Sequence, residues 1–173
     1  GTTGSPGIST STRQKVNTAV NNGIFVVCSG GNDGLFSPAT ARETDDPGRA
    51  ALALTVVAAS DLNQLTDYSS QGFGSPSSVV GQEEDYKPDL MAPGGSSFQT
   101  ALVAADSGSG DRVAFADQQA NDHWATQGTS FAAPFAAGAG ALVIDALQQT
   151  GTNWNFNSPQ HPMLVKMILC ATA

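Results

Sequence analysis

The residues Ile24-Phe25-Val26-Val27-Cys28 are apolar without interruption, so a strand built from them has no face that suits water. Such a strand needs cover on both sides, which is the situation inside a parallel sheet. The preceding stretch reads as part of that cover. Ser9 to Asn22 places Val16, Ala19 and Val20 on one helical face, offers Ser9 or Thr10 as N-cap, and is followed by Gly23 at the C′ position. A helix that feeds a buried strand is half of a βαβ unit, whose first strand is expected upstream of this sequence.

Later segments repeat the theme. Leu52 to Ala59 is a second candidate buried strand, and Leu90-Met91-Ala92 is a third apolar run that stops at the turn Pro93-Gly94-Gly95. Ser130 to Gln148 reads as a helix whose first half, with Ala132, Ala133, Ala136, Ala137, Gly138, Ala139, Gly140 and Ala141, is almost free of bulk. Small residues all round predict close packing by neighbours on every side. Pro162 to Cys170 sets Leu164, Val165, Ile168 and Leu169 at the spacing of a surface helix, and Ser107 to Asp122 reads as loop with one short strand. With 173 residues and no repeats or low-complexity tract, the chain is expected to be one domain of the α/β class.

Composition excludes several partners. Lys+Arg 7 against Asp+Glu 15 gives a formal net charge of -8, and no basic cluster exists to meet nucleic acid or an anionic membrane. Two cysteines, Cys28 and Cys170, are too few for a disulfide framework. No run approaches the 18 apolar residues of a membrane helix, and the N-terminal GTTGSPGISTSTRQK lacks the apolar centre of a signal peptide, so Gly1 is not expected to be a natural start. Glu83, Glu84 and Asp85 are expected in a solvated loop.

Gly128-Thr129-Ser130 enters the small-residue helix at its N-terminus, where unpaired N–H groups and the positive end of the dipole would stabilise an oxyanion. Pro134 follows where a missing N–H does little damage. Spacing alone leaves open whether Ser130 is a nucleophile or only an N-cap. The run Gly128-Thr129-Ser130-Phe131-Ala132-Ala133-Pro134-Phe135-Ala136-Ala137-Gly138 resembles the nucleophile motif of the subtilisin-like serine peptidases, G-T-S-M-A-x-P-x-x-A-G. In the right order, Ser29-Gly30-Gly31-Asn32-Asp33-Gly34 is similar to the family's A-G-N-x-G, and Lys87-Pro88-Asp89-Leu90-Met91-Ala92-Pro93-Gly94 to its D-[VL]-x-A-P-G. Asp46-Pro47-Gly48-Arg49 and Asp67-Tyr68-Ser69-Ser70-Gln71-Gly72 resemble its P-G and F-S-x-x-G landmarks.

The resemblance implies a three-layer fold, a mostly parallel sheet flanked by helices, incomplete at the N-terminal side, with residues 1–173 forming the C-terminal portion of one catalytic domain. It implies a serine endopeptidase that works through an acyl-enzyme, with Ser130 as nucleophile and Asn32 as side-chain oxyanion donor beside the Ser130 N–H. Gly128 and Thr129 belong to the same substrate-binding surface. Ser29, Gly30 and Gly31 would wall the pocket for the side chain before the scissile bond, left open by the glycines for a large apolar or aromatic group. Phe131 and Phe135 depart from the family's commoner Met and His. Asn32 has a local alternative, since N-D-G also suits a turn.

The family's upstream D-[ST]-G and H-G-T-H blocks, which supply the orienting carboxylate and the base, are not found before Asn32. Asp106-Ser107-Gly108 mimics the first but lies on the wrong side of Asn32, and His123 and His161, the two imidazoles, are expected to be solvated surface residues. The chain alone is therefore expected to have no useful peptidase activity and to associate with itself or with the missing half of the domain, which sedimentation of a strictly monomeric chain would contradict. No cofactor is required by this chemistry. A structural calcium at Asp89 with carbonyls near Gly48 and Ala51 is implied by resemblance, against a plain hydrogen-bonding role for the carboxylate. The substrates implied are polypeptides, and the location extracellular or periplasmic. Two other readings remain: a non-catalytic binding or structural module derived from such an enzyme, and an unrelated α/β-hydrolase, which would need G-x-S-x-G where Ala132 stands.

Overall fold

In the computed structural model, which describes residues 10–34, 43–72, 86–96, 101–105 and 123–173, three parallel strands form the central sheet. They are β1 (Val27–Ser29), β2 (Leu54–Ala59) and β3 (Leu90–Pro93), in that order, with Val27 opposite Leu54 and Val56 opposite Leu90. Every residue of β2 is buried, as expected for the middle strand of a sheet covered on both faces.

Helix α1 (Thr10–Asn21) precedes β1. The strand starts three residues later than its apolar run because the chain first closes the helix. Gly23 N–H donates to the Val20 carbonyl and Ile24 N–H to the Ala19 carbonyl, with Gly23 at φ 76. These are the paired bonds of a Schellman ending, which uses Ile24 before pairing can begin.

The two faces of the sheet carry different layers. On one, Leu54, Val56, Ala58 and Ala92 pack with Ala132 and Ala136 of α2 (Thr129–Gln149), and Leu169 of α3 (Gln160–Thr172) joins them. On the other, Cys28, Ala50 and Ala53 pack with Val16 of α1. Both cysteines are free, and burial pushes the Cys28 thiol up.

Helix α2 departs from expectation. Its buried residues are Thr129, Ala132, Ala136 and Gly140, a single stripe, while Ala137, Gly138, Ala141 and Leu142 are exposed among the described residues. The small residues serve close approach on that stripe: a Cβ on Gly140 would lie 2.2 Å from Phe25 Cε1. The same Ala-rich composition makes α2 long and apolar enough to cross a membrane, contrary to the expectation that no run comes near that length. Its packing on the sheet is that of a core-facing helix.

Strands β4 (Leu102–Ala105) and β5 (His123–Thr126) pair antiparallel, with His123 opposite Ala105. His123 thus starts a strand, and it is exposed, as expected of a surface residue. Asp106, Ser107 to Asp122 and the Glu83, Glu84, Asp85 run lie outside the described residues.

At the start of β3 a charge cluster ties sheet to helix. Lys87 Nζ donates to Asp89 Oδ2 and to the Ala53 carbonyl, both at 2.6 Å. Lys166 Nζ of α3 reaches Asp89 Oδ1 at 2.9 Å and the Ala53 carbonyl at 2.7 Å. Lys87 is 3% exposed, and burial lowers its ammonium from 10.5 to about 8 against the pull of the Asp89 carboxylate. Below pH 8 folded and unfolded chains both hold this proton, and the burial cost is fully present. Between about 8 and 10.5 the unfolded chain binds more protons, so the stability contributed by Lys87 rises with pH. The denaturation midpoint of the wild type is expected to gain on that of Lys87→Met as pH rises from 7.5 to 10. A gap independent of pH would mean that Lys87 titrates normally.

Candidate active site

The C-terminal ends of parallel strands are where α/β sheets present their ligands, and three segments meet there. β1 ends at Ser29, and Gly30 N–H still donates to the Val56 carbonyl at 2.8 Å. A Cβ on Gly30 would lie 2.6 Å from Val57 Cγ1, so this glycine faces β2 and not the cavity beyond. Gly31 then turns the chain at φ 109, and a side chain there would lie 2.5 Å from Asp45 Oδ2 and 2.7 Å from Ser70 Oγ. Only glycine meets both the left-handed backbone and the crowding.

From that turn Asn32 reaches the start of α2, 97 residues on. Its Oδ1 accepts from the Thr129 N–H and the Thr129 hydroxyl, each at 3.0 Å, and Thr129 Oγ1 accepts from Gly31 N–H at 3.2 Å. A backbone N–H can only donate, so the amide oxygen must face Thr129 and Nδ2 must point away from it. The Nδ2 hydrogens have no protein acceptor among the described residues.

Gly128 is the N-cap of α2, with no side-chain cap of its own, and its N–H is anchored on the Gly94 carbonyl at 2.9 Å. Ser130 is therefore the second residue of the helix and not its cap. It is exposed, and its hydroxyl and N–H have no protein partner among the described residues. Asn32 supplies the missing cap from across the sheet. Pro134 removes the intrahelical donor to the Ser130 carbonyl without ending the helix.

Ser29, Gly31, Asn32, Thr129 and Ser130 line one cavity of about 270 Å³ together with Asp33, Asp45, Asp46 and Pro47. Gly30 and Gly128 are not among its lining residues, although Gly128 lies 3.8 Å, measured from an added Cβ, from Asn32 Nδ2. The described lining is polar and includes three carboxylates, which differs from the apolar pocket expected from the glycines. Asp33 follows Asn32, whereas Asp45 and Asp46 come from the loop before Pro47, where the sequence shows the P-G landmark but no pattern that marks a site residue. Neither histidine lines the cavity. His161 accepts the Asn155 N–H on Nδ1 at 2.9 Å and lies against Trp154, so it is partly buried structure and not a solvated residue.

Two further residues hold this site, and neither stands out in the sequence as a site residue. Ser70 N–H donates to the Gly31 carbonyl while its Oγ accepts from Asp33 N–H, so the D-Y-S-S-Q-G landmark braces the Asn32 loop. Tyr68 places its hydroxyl 2.7 Å from the Gly94 carbonyl, the same oxygen that anchors Gly128, and burial pushes this phenol up.

Asp89 does not fit a calcium ion. Its oxygens accept from two ammonium groups and from the Thr55 N–H at 2.7 Å, the Gly48 carbonyl accepts from Thr55 Oγ1, and the Ala51 carbonyl from Lys166. Every oxygen offered for the cation already serves a protein donor. Among the described residues no group of three or more His, Cys, Asp or Glu could hold a metal ion.

A sequence model described as Subtilase family matches residues 1–173. The self-cleaved protease domain of PatA superposes with TM-score 0.64 at 22% identity, over 93% of this chain and 46% of that one. A structure of proteases from Pseudoalteromonas arctica gives 0.66 at 24%, over 98% and 42%, and a cold adapted subtilisin-like serine proteinase 0.60 at 20%, over 96% and 45%. These likenesses establish an α/β fold of parallel sheet and flanking helices. The chain spans less than half the length of each of these structures.

Proposed function

Because the chain belongs to the subtilase family, we propose that it is the portion of a serine endopeptidase domain that carries the nucleophile and the oxyanion hole. Ser130 Oγ attacks the carbonyl carbon of a peptide bond. The carbonyl oxygen, as it gains charge, receives hydrogen bonds from Asn32 Nδ2 and the Ser130 N–H. A base takes the Ser130 hydroxyl proton as Oγ attacks and, in its protonated form, delivers it to the leaving amine; water, activated by the same base, then releases the acyl group from Ser130. An Asp and a His outside these 173 residues supply that base and its orienter.

One observation carries this reading: Asn32 spends its acceptor on Thr129 and keeps its donor unspent, on the rim of the cavity that also holds Ser130. A residue kept only to cap α2 would need the oxygen alone. That favours an enzyme over a scaffold descended from one. Substrates are polypeptides, and an extracellular or periplasmic site of action belongs to the same proposal.

Fluorophosphonate labelling tests it. The complete catalytic domain is expected to be labelled at Ser130 and to lose labelling in Ser130→Ala, while the pure 173-residue chain turns over no chromogenic peptide. Labelling elsewhere, or none in a complete and folded domain, would sink the assignment.

A further inference from the structure

Just past β3, two buried residues turn their carbonyls to one hydroxyl. Tyr68 Oη lies 2.7 Å from the Gly94 carbonyl oxygen and 2.8 Å from that of Gly95. Successive carbonyls of an extended strand face opposite ways, and the left-handed turn at Gly95, φ 75, lets these two converge. Converging carbonyl dipoles repel, and a buried oxygen that loses its donor is destabilising, so the single phenolic proton between them holds the pair in place. Burial pushes the phenol above its ordinary value of 10, and that proton is present at neutral pH.

Tyr68 is itself fixed from both sides. Thr66 N–H donates to the Ala58 carbonyl at 3.0 Å, and Ser69 Oγ accepts from the Ala58 N–H at 3.1 Å. These bonds pin the tyrosine to β2, and its ring packs on the core that Ala132 and Ala136 of α2 share. The hydroxyl then reaches the start of that helix, because the Gly94 carbonyl also accepts from the N–H of the N-cap Gly128 at 2.9 Å. A chain of bonds thus runs from β2 through Tyr68 and Gly94 to Gly128, two residues before Ser130.

We propose that Tyr68 is a positioning residue for Ser130: through the Gly94 carbonyl its hydroxyl fixes the N-terminus of α2, on which the direction of the Ser130 Oγ and N–H depends. Misplacement of a nucleophile by a fraction of an ångström is enough to slow attack. The inference rests on the reading of Ser130 as nucleophile, while the tether itself can be measured without turnover. Phe stands at this place in the F-S-x-x-G landmark, so Tyr68→Phe deletes the oxygen and leaves a ring that fits.

In the complete domain, Tyr68→Phe is expected to slow both fluorophosphonate labelling of Ser130 and kcat for a chromogenic peptide by about 3–10-fold, the effect of one net hydrogen bond. KM is expected to stay within about twofold, since Tyr68 is not among the residues lining the Ser130 cavity. Exchange of the buried Gly128 amide, followed by NMR, is expected to quicken by about the same 3–10-fold. Trp154→Phe removes a donor to the Gly23 carbonyl, before β1 and away from the site, and serves as the control for lost stability alone. Unchanged Gly128 exchange in a folded Tyr68→Phe overturns the proposal whatever the labelling does. Faster exchange with undiminished labelling, or equal slowing of labelling in Trp154→Phe, overturns the positioning role and leaves Ser130 as nucleophile. Faster exchange in a domain whose wild type is not labelled at Ser130 would uphold the tether and remove the peptidase reading.

Discussion

Asn32→Asp is expected to leave the fold intact and to lower peptide turnover by the complete domain by at least about 10²–10³, a magnitude carried over from a member of this family. The substitution separates the two jobs of the side chain. An aspartate keeps an oxygen for the Thr129 N–H and hydroxyl, and a carboxylate at a helix N-terminus is, if anything, stabilising. What disappears is the Nδ2 donor, replaced by a negative charge beside an oxygen that is itself becoming negative. The thermal midpoint should therefore hold or rise while kcat collapses. Equal kcat in the aspartate variant would mean that Asn32 serves α2 alone, and a lowered midpoint would mean that its oxygen is not the cap described here.

Asp89→Ala is expected to be the most damaging single change to stability. It leaves Lys87 and Lys166 buried against the Ala53 carbonyl with no carboxylate between them, and removes the acceptor for the Thr55 N–H. Breaking a buried pair by deleting one partner costs about 3–5 kcal/mol. For a domain of this size that is a midpoint lower by roughly 6–20 °C. Adding Lys87→Met should recover part of the loss, because an apolar side chain needs no counter-charge. A calorimetric midpoint within about 2 °C of the wild type would show the cluster to be dispensable, and calcium dependence of that midpoint would revive the metal that the occupied oxygens argue against.

The parts legible in the sequence are those set by local periodicity and by motif. The uninterrupted apolar runs locate β1, β2 and β3 because a strand covered on both faces cannot alternate, and Gly23 marks the end of α1 because its left-handed conformation is a local requirement. The start of β1 differs from its apolar run for an equally local reason: the Schellman ending uses Ile24. Burial of α2 is less than its composition suggests because small side chains permit close approach on any face without saying which face is approached. The contribution of Asp45 and Asp46 to the lining is invisible along the chain because they belong to a different loop from Asn32 and lie far from Ser130 in sequence.

The order of amino acids was enough for the class of fold and the family, and it put forward Ser130 and Asn32 as candidates, since each of these rests on residues close together in the chain. It took the folded arrangement to show that Asn32 turns its oxygen to Thr129 and its amide nitrogen outward, that Asp89 already has two ammonium partners, and that Asp45 and Asp46 line the cavity. Those are properties of side chains brought together from different strands and helices, and no local pattern encodes the direction in which a group must point once its partner arrives from elsewhere.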